Sequence, residues 1–375
     1  MRVLFVSGAS IGHSFPLVSL AWAVCAAGHE VRYVTAGPAL AVKHAGLPVI
    51  DAAPQVDIVA MARKRITQHQ EDRQLIAAMR DLRDMAPFLA KFSEIIVDGA
   101  VEAAAEWQPE LVVHAQTDGA GLLVAAKLGV PLVTHGLGIL RGAGTHELLH
   151  AHMADAFARY GVTTLPEHIA SIDVAPPSML AGDPSGWSMR YVPYNGGCVL
   201  PKWLRTPVER PRITVTLGTI VPALEGLGPV QRMLEIAGSV DAEFVLALGN
   251  VDTRELGELP GNTRVVGWVP LDERLRGCAA LVHHGGEGTT MTALAAGVPQ
   301  LILPSGVGRH AAAAAVQQRG AGLSAQVQDV DAALLARLLE DEALAKTATQ
   351  VRAEIAALPT PANLVPRLVN LANAA

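Results

Sequence analysis

VHHGGEGTT, residues 282–290, follows a short apolar run and opens an alanine-rich segment with helical spacing. This order of strand, glycine-rich turn and helix is typical of doubly wound parallel sheets, which bind ligands where their strands end. Glycine lets a ligand approach the backbone, and the first turn of the helix supplies free N–H groups with about half a positive charge. The stretch therefore predicts a phosphate or diphosphate site; a plain strand-to-helix turn capped by its threonines is the alternative.

The same alternation of short apolar runs and helical patterns extends in both directions from this stretch. Strands are predicted at residues 2–6, 31–34, 48–50, 111–113 and 131–134 and, in the second half, at 213–217, 244–247, 264–266, 280–283 and 300–303. Helices are predicted at residues 15–27 and 38–45, before Trp107, at 119–128, from Val230, and at 288–296, 311–318 and 332–339. The predicted fold class is α/β, with two doubly wound, Rossmann-like halves whose carboxyl strand edges face a central cleft.

The chain has 375 residues, which is enough for about two domains. Proline and glycine are frequent at residues 176–211, which indicates a connection between domains near residues 195–210. We therefore predict one domain at residues 1–200, a second at 201–360, and a C-terminal helix at 361–375 whose packing the sequence leaves open. A polar stretch at residues 55–74 is predicted to be a mobile surface loop.

Composition excludes several classes of protein. Hydrophobic residues make up 50% of the chain and charged residues 17%, which excludes disorder. The net charge of −6 offers no basic surface to nucleic acid. Three widely spaced cysteines without a CxxC motif indicate neither a disulfide framework nor a zinc knuckle. Since no uninterrupted apolar run reaches the roughly 18 residues of a membrane span, we expect a soluble, cytoplasmic protein.

A second glycine-rich turn, GASIGH at residues 8–13, lies between the first predicted strand and the first helix. A helix N-terminus disfavours the cationic form of a histidine. His13 should therefore be neutral at pH 7 and able to accept a proton. A capping or core histidine is the alternative interpretation.

These two turns also carry a resemblance to a known family. Residues 282–290, with AAGVPQ at 295–300, resemble the donor signature of bacterial GT-B glycosyltransferases that attach activated deoxysugars to antibiotic natural products. VGWVPL at 266–271 is similar to the base-binding segment of that family. RVLFV at 2–6, AGHEV at 27–31, SID at 171–173 and MRYVPYNG at 189–196 match other parts of it, so the resemblance covers most of the chain. The relatives most similar in pattern act on aromatic polyketides, and some of them form C-glycosides.

The resemblance implies an inverting, metal-independent transfer from a nucleotide sugar, usually with thymine as the base, and no further cofactor. It assigns to the donor diphosphate the residues His284, Gly286, Gly288, Thr289 and Thr219. Trp268 and Val269 would lie at the base. Taken alone, a tryptophan beside a strand belongs as often to a core as to a base platform.

On the acceptor side, the resemblance implies that His13 is the base that activates a small-molecule aglycone. Asp118 is the candidate carboxylate that holds this base, although His114 stands near a position where plant relatives place an acid. The candidate acceptor contacts are Ser10, Ile11, Phe15 and Leu137. Since a phenolate is nucleophilic at oxygen and at its ortho carbon, the sequence does not choose between an O- and a C-glycoside.

One departure from the family bears on the sugar. Many relatives have an Asp-Gln pair after the strand predicted at residues 300–303, where it binds sugar hydroxyls, whereas this chain has SGVGRHA at 305–311. A site without that pair would bind a hydroxyl-rich sugar poorly. We hypothesise a 2,6-dideoxy or otherwise deoxygenated donor.

Three other interpretations fit parts of the sequence less well. Asp329 and Asp331 form an Asp-x-Asp pair that could hold a metal ion, but they precede a helical pattern and fit an N-cap better. The turn at residues 8–12 resembles the Gly-xxx-Gly-x-Gly loop of short-chain NAD(P)-dependent dehydrogenases, but Ser14 replaces the third glycine and no Tyr-xxx-Lys pair accompanies it. A non-catalytic auxiliary protein should lack His13 or the donor turn, and both are present. The oligomeric state is left open, a homodimer being one option.

Overall fold

The computed structural model describes residues 1–61, 83–142, 144–180, 186–218, 226–249, 251–304 and 309–374. The chain divides into two compact units, Met1–Val192 with Ala357–Ala375, and Pro193–Ala356. The division falls a few residues before the segment 195–210 where the sequence predicts it. Of the predicted polar loop at residues 55–74, residues 62–74 lie outside the described residues.

The first unit contains a seven-stranded sheet of order β3-β2-β1-β4-β5-β6-β7. Its strands are β1 Arg2–Val6, β2 Glu30–Thr35, β3 Val49–Asp51, β4 Leu111–Ala115, β5 Leu132–His135, β6 Ile169–Asp173 and β7 Trp187–Ser188. Every neighbouring pair is parallel, so all seven carboxyl ends lie at one edge. The central strands β1, β4 and β5 are buried along nearly their whole length, as in sheets whose two faces are both covered by helices.

The helices of this unit are α1 Ile11–Ser14, α2 Val18–Ala26, α3 Ala86–Trp107, α4 Ala120–Leu128, α5 Thr145–His152, α6 Ala154–Arg159 and, at the chain end, α14 Pro361–Asn373. The sequence left the packing of the last helix open. In the structure α14 packs against α2 and belongs to the first unit. Residues 37–45 form a 3-10 helix rather than the predicted α-helix.

The second unit contains a six-stranded parallel sheet of order β10-β9-β8-β11-β12-β13. Its strands are β8 Arg212–Thr216, β9 Glu243–Ala247, β10 Thr263–Val266, β11 Ala280–His283, β12 Gln300–Ile302 and β13 Gly322–Ser324. Its helices are α7 Lys202–Arg205, α8 Gly228–Ala237, α9 Leu271–Leu275, α10 Glu287–Ala296, α11 Arg309–Arg319, α12 Ala332–Glu340 and α13 Glu342–Ala357. Each unit has its own hydrophobic core, so the predicted pair of Rossmann-like parallel sheets is confirmed.

The Asp-x-Asp pair has a structural role. The side chain of Asp331 accepts a hydrogen bond of 2.8 Å from the backbone N–H of Leu334 and is the N-cap of α12. This confirms the N-cap interpretation of Asp331.

Within the described ranges, no helix is long and apolar enough to cross a membrane.

Candidate functional site

The glycine-rich turn of the second unit follows β11 and leads into α10. Gly285 has φ of +88°, and a Cβ built there would lie 2.9 Å from Ile302 and 3.1 Å from the Cβ of Arg309, so only glycine fits. Gly286 is the N-cap of α10 and has no side chain with which to cap the first turn. The predicted strand, turn and helix are therefore present, with the N-terminus of a ten-residue helix at the carboxyl edge of the sheet.

The two histidines of this turn have different roles. Nδ1 of His283 accepts a 3.1 Å hydrogen bond from the N–H of Gly285, so the ring proton is on Nε2, which donates to Oε1 of Gln300 at 2.8 Å. Burial lowers the pKa of His283 to about 4, which keeps this tautomer neutral. His283 thus holds the turn in place and has no nitrogen left for a ligand.

His284 is the histidine that can meet a ligand. Its ring lies between two glycines: a Cβ on Gly218 would be 2.5 Å from Cε1, and a Cβ on Gly286 would be 2.6 Å from Nε2. Nδ1 is buried and has no hydrogen-bond partner among the described residues. Burial, followed by the charge of Arg309 and the neighbouring His283, outweighs the opposing effect of the Thr216 backbone and holds the pKa of His284 well below its usual value. A helix N-terminus is suited to binding an anion, and a bound anion would give the buried nitrogen of His284 a partner.

The threonines of α10 also have different roles. The hydroxyls of Thr290 and Thr292 bond to the carbonyls of Gly286 and Gly288 at 3.0 and 2.6 Å, inside the helix. Thr289 is half-buried, and its hydroxyl has no partner in the described part of the chain. Thr289 is thus the hydroxyl of this turn that can reach a ligand. Thr219, the other predicted diphosphate contact, lies outside the described residues.

Trp268 follows β10 and is 46% exposed, so the core interpretation of this tryptophan is wrong. A Cβ on Gly196 would lie 3.3 Å from its Nε1, and a Cβ on Gly249 would lie 3.8 Å from its Cε3. The indole is therefore flanked by glycines while much of its surface stays open. The sequence did not identify Gly196 and Gly218 as parts of this site, because they are distant along the chain from the side chains they contact.

In the first unit, His13 lies on α1, directly after β1, and is half-buried. Its Nδ1 is 3.2 Å from the hydroxyl oxygen of Thr117, and Nε2 has no partner within the described ranges. The pKa of His13 is lowered to about 4, as expected in direction, but the cause is burial rather than a helix dipole. The ring is neutral at pH 7 and can accept a proton.

Asp118 does not contact His13 as the sequence predicted. Its Oδ1 accepts a 2.9 Å hydrogen bond from Gly121 at the start of α4, and its buried Oδ2 has no partner among the described residues. Burial raises the pKa of Asp118 to about 6. Oδ2 of Asp118 and Nδ1 of His13 both lie beside Gly8. A Cβ built on Gly8 would be 3.7 Å from Oδ2 and 3.6 Å from Nδ1. Thr117, one residue earlier, holds the imidazole instead.

His114 belongs to a buried hydrogen-bond chain. Its Nδ1 donates to the carbonyl of Asp118 at 2.7 Å, so Nε2, 2.8 Å from Oγ1 of Thr134, is an acceptor. That hydroxyl then accepts from Nε2 of His146 at 2.9 Å. Burial lowers the pKa of His114 to about 3. Both nitrogens of His114 are occupied, so it is not a partner of His13.

The predicted acceptor contacts differ in exposure. Ser10 and Ile11 are half-buried at the start of α1, whereas Phe15 and Leu137 are almost fully buried. After Leu137 the chain leads to α5, which carries His146. His146 was not singled out in the sequence because only the fold brings it to Thr134.

Comparison with known proteins identifies the family. Residues 22–218 match the N-terminal domain, and residues 231–371 the C-terminal domain, of the family described as erythromycin biosynthesis protein CIII-like. The elloramycin glycosyltransferase ElmGT of Streptomyces olivaceus is 43% identical over 377 residues, which cover 98% of this chain and 97% of the relative. The dehydrogenase interpretation of residues 8–12 is therefore set aside.

Two solved structures match the chain over almost its whole length. The glycosyltransferase SnogD from Streptomyces nogalater has a TM-score of 0.85 and 40% identity, with 99% of each chain covered. The glycosyltransferase SsfS6 from Streptomyces sp. SF2575, complexed with thymidine diphosphate, has a TM-score of 0.82 and 32% identity, again with 99% of each chain covered. The chain thus belongs to the erythromycin biosynthesis protein CIII-like family and is a natural-product glycosyltransferase with the GT-B fold.

Proposed function

We propose that this chain transfers a deoxysugar from a dTDP-sugar to an aromatic polyketide-type aglycone, with inversion at the anomeric carbon and without a metal ion. The observation that carries the proposal is the donor turn, where the buried Nδ1 of His284 lacks a partner beside the N-terminus of α10. The relative SsfS6 holds thymidine diphosphate, and the relative ElmGT is an elloramycin glycosyltransferase, which supports the donor base and the acceptor class.

The diphosphate binds at the turn through backbone N–H groups of α10, the hydroxyl of Thr289 and the ring of His284. A dianion next to a neutral imidazole raises the pKa of that imidazole, so Nδ1 takes up a proton and donates it to a phosphate oxygen in a hydrogen bond. Trp268 offers its open face to thymine, with Val269 beside it. The N–H dipoles of α10 and the imidazolium of His284 then stabilise the charge of the leaving diphosphate without a metal ion. Asp331, from the Asp-x-Asp pair, already caps α12.

His13 is the general base. As the acceptor oxygen bonds to the anomeric carbon, the bond from that carbon to the diphosphate oxygen breaks on the opposite face, and the acceptor proton moves to Nε2 of His13. Thr117 fixes the ring, and the carboxylate of Asp118, across Gly8, stabilises the imidazolium that forms. A phenolate made in this way can also react at its ortho carbon, which would give a C-glycoside.

The sugar class follows from the run after β12. Residues 305–308, which replace the Asp-Gln pair of many relatives, lie outside the described residues. A site without that carboxylate and amide would hold a hydroxyl-rich sugar poorly. We therefore infer a deoxygenated sugar; turnover of UDP-glucose as fast as any dTDP-deoxysugar would contradict this.

Thermal unfolding with dTDP, UDP or NADPH tests the proposal. A ligand at 100 times its Kd stabilises the folded state by about 2.7 kcal/mol. We expect dTDP to raise Tm by several degrees, and His284→Ala to abolish most of that shift. Stabilisation by NADPH but not by dTDP would overturn the proposal, and an equal shift with UDP would overturn its thymine specificity.

A further inference from the structure

A buried arginine lies directly behind the base-binding segment of the second unit. Arg274, on α9, is 2% exposed. One of its terminal nitrogens donates a 3.0 Å hydrogen bond to the carbonyl oxygen of Val269, the residue next to Trp268. The guanidinium therefore fixes the backbone of the segment that presents the indole.

This buried charge has no acidic partner among the residues that the structure describes. Across the described ranges, no carboxylate lies within ion-pair distance of Arg274, and its Nε has no hydrogen-bond partner. The ionisable groups that act on it are the thiols of Cys278 and Cys198. Burial lowers the pKa of Arg274 to about 10, so it stays a cation at pH 7. An uncompensated buried charge lowers the stability of the fold, and a neutral donor would be sufficient to hold the carbonyl of Val269.

A second, neutral anchor holds the same segment. Oδ1 of Asn195 accepts a 3.1 Å hydrogen bond from the backbone N–H of Asp272 in α9, and the next residue, Gly196, lies against Trp268. Asn195 thus contributes to the placement of this segment without adding charge. The chain therefore offers one charged and one neutral anchor that can be removed separately.

We propose that Arg274 is a positioning residue for the donor, which fixes the carbonyl of Val269 and places one uncompensated positive charge behind the nucleotide site. The charge favours a nucleoside diphosphate over the neutral nucleoside with the same base. This inference rests on the proposed donor site at Trp268 and His284.

Titration calorimetry with dTDP and with thymidine separates the two contributions. Arg274→Met should weaken dTDP binding about tenfold and thymidine binding about threefold or less, since the lost charge acts on the diphosphate. Asn195→Ala should weaken both ligands by similar factors. Arg276→Met is the matched control, because Arg276 is 75% exposed and pairs with Glu273 at 3.2 Å, and it should change neither affinity.

The inference about Arg274 is overturned if Arg274→Met binds dTDP with unchanged affinity, or if it weakens dTDP and thymidine equally. In that case, dTDP binding by the unaltered protein still upholds the donor site. If the unaltered protein binds no dTDP, both the donor site and the role of Arg274 are refuted. If Arg274→Met fails to fold, Arg274→Lys is used instead, because lysine keeps the charge. The ratio of dTDP affinity to thymidine affinity in Arg274→Lys should then equal that of the unaltered protein. A lower ratio refutes the role of the charge.

Discussion

Gly286→Ala tests whether the position of the His284 ring determines donor affinity. The φ of Gly286 is −64°, which alanine adopts without strain, but the new Cβ would lie 2.6 Å from Nε2 of His284. An ordinary contact begins at 3.4 Å, so the ring must move by about 0.8 Å. The substitution therefore displaces one ring and leaves the backbone unstrained.

The expected loss follows from the hydrogen bond at stake. A bond between Nδ1 of His284 and a charged phosphate is worth about 1.5–3 kcal/mol, so dTDP affinity should fall about 10- to 100-fold in calorimetric titration. Gly238→Ala is the matched control: Gly238 also has φ of −64°, it is exposed, and its new Cβ meets nothing within 4 Å. Gly286 is an N-cap, and alanine there costs up to about 1 kcal/mol of stability, so Tm is measured alongside.

A double-mutant cycle shows whether the effect acts through His284. In a His284→Ala background, Gly286→Ala has no ring to displace and should cost little further affinity. If Gly286→Ala alone binds dTDP as well as the unaltered protein, or weakens binding by the same factor in both backgrounds, the reasoning about the donor turn is refuted.

Three further predictions concern other residues. His13→Ala should cut turnover by roughly 10²–10⁴-fold with dTDP affinity unchanged; full turnover would remove His13 from the base role. The pKa of Asp118 is raised to about 6, so the folded state holds its proton more tightly and this group destabilises the protein as pH rises from about 4 past 6. Relative to Asp118→Asn, the unaltered protein should lose about 1 kcal/mol of unfolding free energy between pH 5 and 7 in urea titrations, and a constant difference would contradict the raised pKa. Asp331→Ala should lower the unfolding free energy by about 1 kcal/mol with turnover intact; a loss of turnover restored by Mn²⁺ would revive the metal interpretation.

Much of the fold could be predicted because the central strands of a parallel sheet are continuous apolar runs. β1 and β11 were predicted with the bounds that the structure shows, and both are buried along nearly their whole length. β6, β7 and β13 were missed: β6 is partly exposed and contains Ser171 and Asp173, β7 has only two residues, and β13 has three. β7 and β13 are edge strands and β6 lies beside β7, so these short or partly exposed strands lack the continuous apolar run of the central strands.

Some features of the candidate site could also be predicted from the sequence, and others could not. The two turns were located from local sequence, because glycines and polar residues between a strand and a helix form a local pattern. The choice of Asp118 as the partner of His13 could not be made in this way. Thr117 and Asp118 are adjacent in the chain, and which of them meets Nδ1 depends on how the end of β4 approaches α1, at a separation of 104 residues.

The sequence by itself determined the parallel α/β class, the family and the positions of both turns, since these depend on residue periodicity and short contiguous motifs. Only the tertiary structure decided that His283 holds the turn while His284 keeps a nitrogen for a ligand, and that Trp268 is open rather than in the core. It also revealed Arg274 behind Val269, with no acidic partner in the part of the chain that the structure describes. Burial and hydrogen-bond partners are set by residues far apart in the chain, which no local pattern records.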